Sequence, residues 1–306
     1  MPLSKKKKVI LALIILLLVL LFCFILFSFN SKTEIIGGLE IPLLKRNETI
    51  TSHTGFSLCY QEDFEQASWV AYELTSNETV SVTERNDKFL TDPAIPSGSA
   101  TTSDYAGSGY DRGHLAPAAD MGWSVQTMKE SFYFSNISPQ LPGFNRGIWK
   151  KAEEQVRNWA REYGSVYVAT GPVLEKGLPV IGPNQVAVPN YFYKVILRCR
   201  PSDTSAIGIL IPHASSTESL TSYYVSVDNI ENVTGIDFFH QLPDNTEARE
   251  EKTCNHGEWP LIKNKDNKSS NQYKKPESVQ CSGTTKSGAR CKRKTTNENG
   301  RCFSHQ

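Results

Sequence analysis

Residues 9–29 read VILALIILLLVLLFCFILFSF, 21 positions without a charged side chain. As an α-helix rising about 1.5 Å per residue, such a run spans roughly 30 Å, the thickness of a bilayer core. Lys5, Lys6, Lys7 and Lys8 stand directly before it. The positive-inside tendency then keeps the N-terminus in the cytoplasm and sends everything after Asn30 across the membrane. A cleaved signal peptide is the alternative, and it too would place the rest outside the cytoplasm. The run is longer than a usual h-region, however, and no A-x-A-like site follows it. A single-pass membrane anchor over residues 1–30 is therefore expected, with the main domain extracytoplasmic.

The remainder divides by composition. Residues 31–57 are polar and aperiodic and read as a stalk, so the domain proper is expected over 58–262. From 263 to 280 the sequence KNKDNKSSNQYKKPESVQ has almost no apolar residue and reads as a flexible linker. Residues 281–306 form a small basic module rich in Cys and His. The 306 residues suffice for one sizeable domain plus these appendages. A net charge of +1 excludes a polycation that coats nucleic acid, so any such site must rest on local potential.

Within the domain, SWVAYELT (68–75), SVYVATGPVL (165–174), YFYKVILRC (191–199) and AIGILIPH (206–213) carry the β-branched and aromatic residues of strands. Ile148, Ala152, Val156, Trp159 and Tyr163 fall at helical spacing, with Trp149 beside them and Gly164 as a stop signal. A second helix is expected over Val125–Phe132. Strands and helices without strict alternation predict an α+β fold with a largely antiparallel sheet. Of seven cysteines, Cys59, Cys199 and Cys254 lie in the domain. An oxidising compartment permits a disulfide among them, free buried thiols are equally compatible, and spacing does not choose.

Tyr110-Asp111-Arg112-Gly113-His114-Leu115-Ala116-Pro117 is the most informative segment. In extended chain Arg112 and His114 point to the same side, bringing a permanent cation beside a titratable imidazole. Phosphodiester hydrolysis uses such a pair: a neutral His takes a proton from water while Arg neutralises phosphate charge. A structural His beside an Arg is the bland alternative. Downstream lie Ser135-Asn136-Ile137-Ser138-Pro139-Gln140 and Phe144-Asn145-Arg146-Gly147-Ile148-Trp149. Asn145 precedes the helix, where it reads equally as an N-cap or as an oxygen ligand for a hard cation such as magnesium.

DRGHLAP, then SNISPQ, then FNRGIW followed by Glu153, resembles the DNA/RNA non-specific endonucleases, the ββα-metal family that includes endonuclease G. WVAYELT and RNDKFLTDP (85–93) precede them in the same order, so the likeness runs from about Trp69 to Gly171 and more faintly to Ile262. The resemblance implies a ββα-metal nuclease fold, a central sheet flanked by helices. It implies cleavage of DNA and RNA to 5′-phosphate and 3′-hydroxyl ends with Mg2+, Mn2+ being an alternative. His114 matches the general base, and Asn145 the single direct protein ligand of magnesium. Arg112 matches an arginine facing the phosphate, and Asn136 an asparagine supporting the site. Glu153 matches a glutamate orienting water in the metal's hydration shell, and Arg85 a further phosphate-contacting arginine. Relatives dimerise, which brings a homodimer into view and leaves the oligomeric state open. The rival from another class is a membrane-tethered nucleic-acid binding or uptake protein with little or no cleavage.

The tail spaces Cys281, Cys291, Cys302 and His305 as C-x9-C-x10-C-x2-H, a sufficient set for tetrahedral Zn2+. A disordered basic tail or disulfide pairing is the alternative. Lys286, Arg290, Lys292, Arg293, Lys294 and Arg301 against Glu298 suit contact with a nucleic-acid backbone. His213, His240 and His256 are expected to be structural or exposed.

Overall fold

β-Branched and aromatic side chains fit a pleated surface, and the four apolar runs become the long strands of one sheet. The structure, a computed structural model, describes residues 38–85, 87–200, 203–262, 279–284, 290–291 and 294–295. The strands of the domain are β1 (Thr51–Ser52), β2 (Ser57–Gln61), β3 (Gln66–Thr75), β4 (Asp111–His114), β5 (Ile137–Gln140) and β6 (Ser165–Pro172). They continue with β7 (Val180–Ile181), β8 (Val186–Ala187), β9 (Tyr191–Arg200), β10 (Asp203–Pro212) and β11 (Tyr224–Val225). One sheet has the order β1-β2-β3-β6-β9-β10-β11, and every neighbouring pair in it is antiparallel. β4 and β5 form a separate two-stranded ribbon, as do β7 and β8. The main helices are α1 (Val125–Ser131), α2 (Lys150–Tyr163), α3 (Val227–Thr234) and α4 (Asp244–Lys252).

Alternation along the strands builds two cores. Val70, Tyr72 and Leu74 of β3, Val166 and Val168 of β6, and Ile207, Ile209 and Ile211 of β10 share one cluster with Trp149, Val156 and Trp159. Trp69 and Ala71, Val195 and Leu197 look the other way, onto Val227, Ile230, Phe238 and Phe239. Helices thus cover both faces, which explains why the strands read as continuous apolar runs. Gly164 closes α2 at φ 86°, a left-handed conformation that suits glycine.

The domain begins earlier than Leu58, which corrects the expected stalk. Leu39 is only 4% exposed and belongs to the second cluster. The Leu43 amide donates to Asp237 O at 2.9 Å, and Gln241 Nε2 donates to Gly38 O at 2.7 Å. An edge strand and its lead-in bury few side chains, so their composition resembles a tether. Residues 31–37 and the apolar run 9–29 lie outside the described residues. Among the described residues no helix is long and apolar enough to cross a membrane. Cys59, Cys199 and Cys254 stand as thiols.

Contacts divide the chain into two units, residues 1–262 and 263–306. In the second, Val279–Gln280 pairs antiparallel with Lys294–Thr295, and Cys281 and Cys291 are buried. Residues 263–278 of the expected linker, Cys302 and His305 lie outside the described residues.

Trp159 is fully buried, edge-on to Trp259 at 4.9 Å, and donates Nε1 to Pro260 O at 2.9 Å. Trp159→Ala is expected to cost about 3–5 kcal/mol. Urea unfolding checks this, and a loss under about 1 kcal/mol would contradict the core assignment.

Candidate active site

The ribbon β4–β5 carries the motif. Arg112 faces Pro139, Gly113 faces Ser138 and His114 faces Ile137 across the ladder. A Cβ on Gly113 would lie 2.1 Å from Gln140 Cδ, so only glycine allows this close pairing. Asn136, fully buried, clamps the chain beyond His114. Its Oδ1 accepts from the Ala116 amide at 2.9 Å, and its Nδ2 donates to Ala116 O and Ser131 O at 2.9 and 2.8 Å. Asn136 therefore positions the strand end and has no donor to spare.

His114 sits between two aromatic rings. Phe132 meets it edge-on at 4.8 Å and Phe89 is tilted against it at 5.6 Å. Each ring also carries an arginine: Arg112 Cζ lies 4.2 Å from the Phe89 centroid, and Arg85 Cζ 5.2 Å from that of Phe132. Two guanidiniums thus flank one imidazole by cation–π stacking. Arg85 additionally pairs with Asp87 at 2.6 Å, on the surface. Burial first, then the charges of Arg85 and Arg112, push His114 down to about 3, against an opposing pull from Asp87. The ring is neutral at pH 7, and its buried Nε2 has no hydrogen-bond partner.

The loop bearing Arg85 and Phe89 is anchored just beyond them. Asp92 accepts from His53 Nε2 at 2.9 Å, Ser135 Oγ at 2.5 Å and the Ala94 amide at 2.8 Å. Burial alone would raise its carboxyl, yet these bonds hold it below the usual carboxylate range.

Asn145 opens the opposite wall. A short turn (Pro142–Phe144) leads into a wide turn over Asn145–Trp149, which leaves helical geometry at Gly147 (φ −106°, ψ −110°) and kinks before α2. Asn145 and Trp149 begin and end the wide turn, and Glu153 lies in the first turn of α2. Trp149 donates Nε1 to His114 O at 3.4 Å, which brings the end of the wide turn against β4. Asp111 accepts from Asn145 Nδ2 at 2.9 Å and takes both Nε and Nη2 of Arg146, at 2.8 and 2.5 Å. Burial opposes its charge, and the Arg146 and Asn145 bonds overcome this and keep it ionised. An amide oxygen would be repelled by that carboxylate, so Asn145 Oδ1 is the free end. Asn145 Oδ1 has no partner among the described residues and is available to a hard cation. Between the walls lies a cleft of about 360 Å³ lined by Phe89, Tyr105, Tyr110, Arg112, Asn145 and Arg146.

Glu153, half-buried, belongs to a charge cluster behind the cleft. Asp120 is fully buried, bound by Arg157 Nη1 at 2.5 Å and Tyr72 OH at 2.8 Å. Lys194, also fully buried, donates to Thr170 Oγ1 at 3.1 Å and lies 4.2 Å from the Trp149 ring centroid. Burial pushes the Glu153 carboxyl up and Lys194 down, and Lys194 and Arg157 draw Glu153 back towards its charged form. His213 is used by the fold: Nε2 accepts from the Leu141 amide at 2.7 Å and Nδ1 lies 2.8 Å from Pro189 O.

Sequence reasoning did not find the role of Asp111, the two aromatic shelves, or the Asp120–Arg157–Lys194 cluster. The one available signal was Lys194, a charge set inside the apolar run YFYKVILRC.

The model of the DNA/RNA non-specific endonuclease family matches residues 42–245. Mitochondrial endonuclease G of Homo sapiens is 35% identical over 207 residues, covering 62% of this chain and 69% of its own. Nuclease C1 of Cunninghamella echinulata var. echinulata is 36% identical over 207 residues, covering 61% of this chain and 81% of its own. The crystal structure of the EndoG/EndoGI complex superposes with a TM-score of 0.62 at 31% identity, covering 69% of this chain and 91% of the other.

Asp111→Ala is expected to release both Asn145 and Arg146 while leaving the ribbon ladder intact. Calorimetric titration with Mg2+ should show affinity lower by about 10–100-fold. An unchanged affinity would mean that Asp111 does not set the Asn145 amide.

Proposed function

Because the chain belongs to the DNA/RNA non-specific endonuclease family, we propose that this nuclease hydrolyses DNA and RNA with His114 as general base and Asn145 holding Mg2+. The observation that carries this is the neutral, buried imidazole with an unpartnered Nε2, flanked by two stacked arginines. Its partner is the Asn145 amide, oxygen outward, fixed by Asp111. One amide oxygen suits magnesium, which keeps most of its waters and needs few protein ligands. When bound there, Mg2+ or Mn2+ supplies Lewis-acid stabilisation of charge on the phosphate and the departing oxygen.

In this scheme Arg112 and Arg85 draw the phosphate to the cleft and neutralise charge as it builds on phosphorus. His114 removes a proton from a water in line with the scissile bond. The water oxygen bonds to phosphorus, the P–O3′ bond breaks, and the 3′ oxygen takes a proton from solvent. The ends are a 5′-phosphate and a 3′-hydroxyl. Glu153 is the acceptor that orients water, and Asn136 holds the strand end on which His114 sits. Contacts made to phosphate carry no base information, in keeping with weak sequence preference. The proposal also places the domain outside the cytoplasm on the 9–29 anchor, and gives the tail a Zn2+ bound by Cys281, Cys291, Cys302 and His305.

His114→Ala is expected to lower plasmid and RNA digestion by about 10²–10⁴-fold with an unchanged circular dichroism spectrum. EDTA should abolish wild-type cleavage. Wild-type digestion that survives EDTA, or a fully active His114 variant, would favour a different base or a metal-free reaction.

The pH profile gives a second test. A general base acts unprotonated, and His114 in the free enzyme titrates far below the ordinary histidine value. The acid limb of kcat/KM should therefore lie well under pH 6. Bound phosphate offsets the charges of Arg85 and Arg112, which raises the imidazole pKa, so the acid limb of kcat should lie at higher pH. Coincident limbs near pH 6.5 would show that the arginines do not act on His114.

A further inference from the structure

On the sheet face away from the cleft, α3 and α4 bring three carboxylates together. One carboxylate oxygen each from Asp228, Glu231 and Glu251 lies within 4.8 Å of the others. Asp228 and Glu231, three apart, share a side of α3, and Glu251 comes from the last turn of α4. Glu251 is 5% exposed, and its Oε1 is buried without a hydrogen-bond partner. Glu231 Oε1 accepts from the Phe238 amide at 2.8 Å, which leaves its second oxygen. Among the described residues no Lys, Arg or His forms an ion pair with any of the three.

The helix itself raises the question. The buried residues of α4 are Glu250 and Glu251, and no apolar side chain of it is buried. Hydrophobic burial therefore does not hold α4 down. An unpaired carboxylate taken from water costs several kcal/mol unless a cation meets it.

We propose that Asp228, Glu231 and Glu251 form a calcium site that clasps α4 to α3. Carboxylate oxygens are the ligands of a hard cation. Calcium binds at 2.3–2.6 Å, so oxygens on one ion stand at most roughly 5 Å apart, a limit these three meet. It accepts irregular sets of six to eight oxygens, which bidentate carboxylates and water complete, whereas Mg2+ demands a near-ideal octahedron. The site lies apart from His114 and Asn145 in the fold and is structural: it neutralises the cluster and fixes α4 to α3, whose Val227 and Ile230 pack into the second core with Phe238 and Phe239.

The test uses the full chain carrying Asn145→Ala, which removes the other proposed cation ligand. After EDTA treatment and dialysis, Ca2+ at 100-fold excess over Kd should raise Tm by at least about 5 °C. Isothermal titration should give one Ca2+ per chain. Adding Glu251→Gln should abolish the shift while leaving Tm near the EDTA value, because the amide keeps the shape of the carboxyl and lacks the charge that holds Ca2+. Asp228→Asn, at a more exposed position, should weaken Ca2+ affinity at least tenfold and serves where the Glu251 variant fails to fold. Absence of a Ca2+-dependent shift, or a shift of equal size in the variants, overturns the site and leaves Glu251 a protonated acid.

Discussion

The wide turn that leads into α2 must serve the core and the cleft together, and Trp149 fixes how. Its indole is fully buried, 5.4 Å from the Phe144 ring and 5.6 Å from Phe192, with Lys194 over its face. Its N–H reaches His114 O. A rotation of α2 by one residue, about 100°, would bring Lys150 or Lys151 towards the core and carry Trp149 and Glu153 away from their places. Burying a tryptophan against a close-packed sheet is worth several kcal/mol, so that slip is forbidden by packing alone. The geometry of the cleft is inherited from the core.

This coupling also decides what could be read from sequence. The four long strands and α2 were legible because burial on one side or both leaves a periodic trace, and a trace survives without knowledge of partners. β1, β7, β8 and β11, two residues each, leave none, and the segment before Leu58 reads as a tether for that reason. Arg112 and His114 were legible as a pair because a strand places alternate residues together. Asp111 was not, since its partners Asn145 and Arg146 come from the far side of another strand and a turn, and no spacing rule connects them. Phe89 and Phe132 read as ordinary core residues, and only the fold shows each supporting an arginine and the imidazole at once.

The buried charges follow a different logic from the surface ones. Asp120 and Lys194 are fully buried and Arg157 and Glu153 half-buried beside them, so the four survive as a set whose members offset one another. Tyr72 and Thr170 supply the remaining hydrogen bonds from the sheet. Such a set is rigid because removing any member strands the others, and rigidity beneath Trp149 is what the cleft requires. The acidic cluster of α3 and α4 lacks this internal balance. That asymmetry within one molecule separates a network completed by its own cations from one that needs a cation from outside.

The aromatic shelves bear on base selection as well. Proteins that read or grip unpaired bases commonly do so on exposed aromatic faces. Here the faces of Phe89 and Phe132 are occupied by Arg112 and Arg85, and the remaining ring surface meets His114 or other rings. The rings are thereby converted from platforms for bases into holders for cations. What the cleft offers an arriving nucleic acid is guanidinium charge and an amide oxygen, both suited to phosphate, with the neutral imidazole of His114 behind the Phe89 ring. Stacking the arginines on rings also orients them without burying them, so their charge stays effective at the cleft while their side-chain entropy is already partly lost. On the proposed mechanism, indifference to sequence and strength of phosphate capture then have one cause, the use of Phe89 and Phe132 to aim two cations.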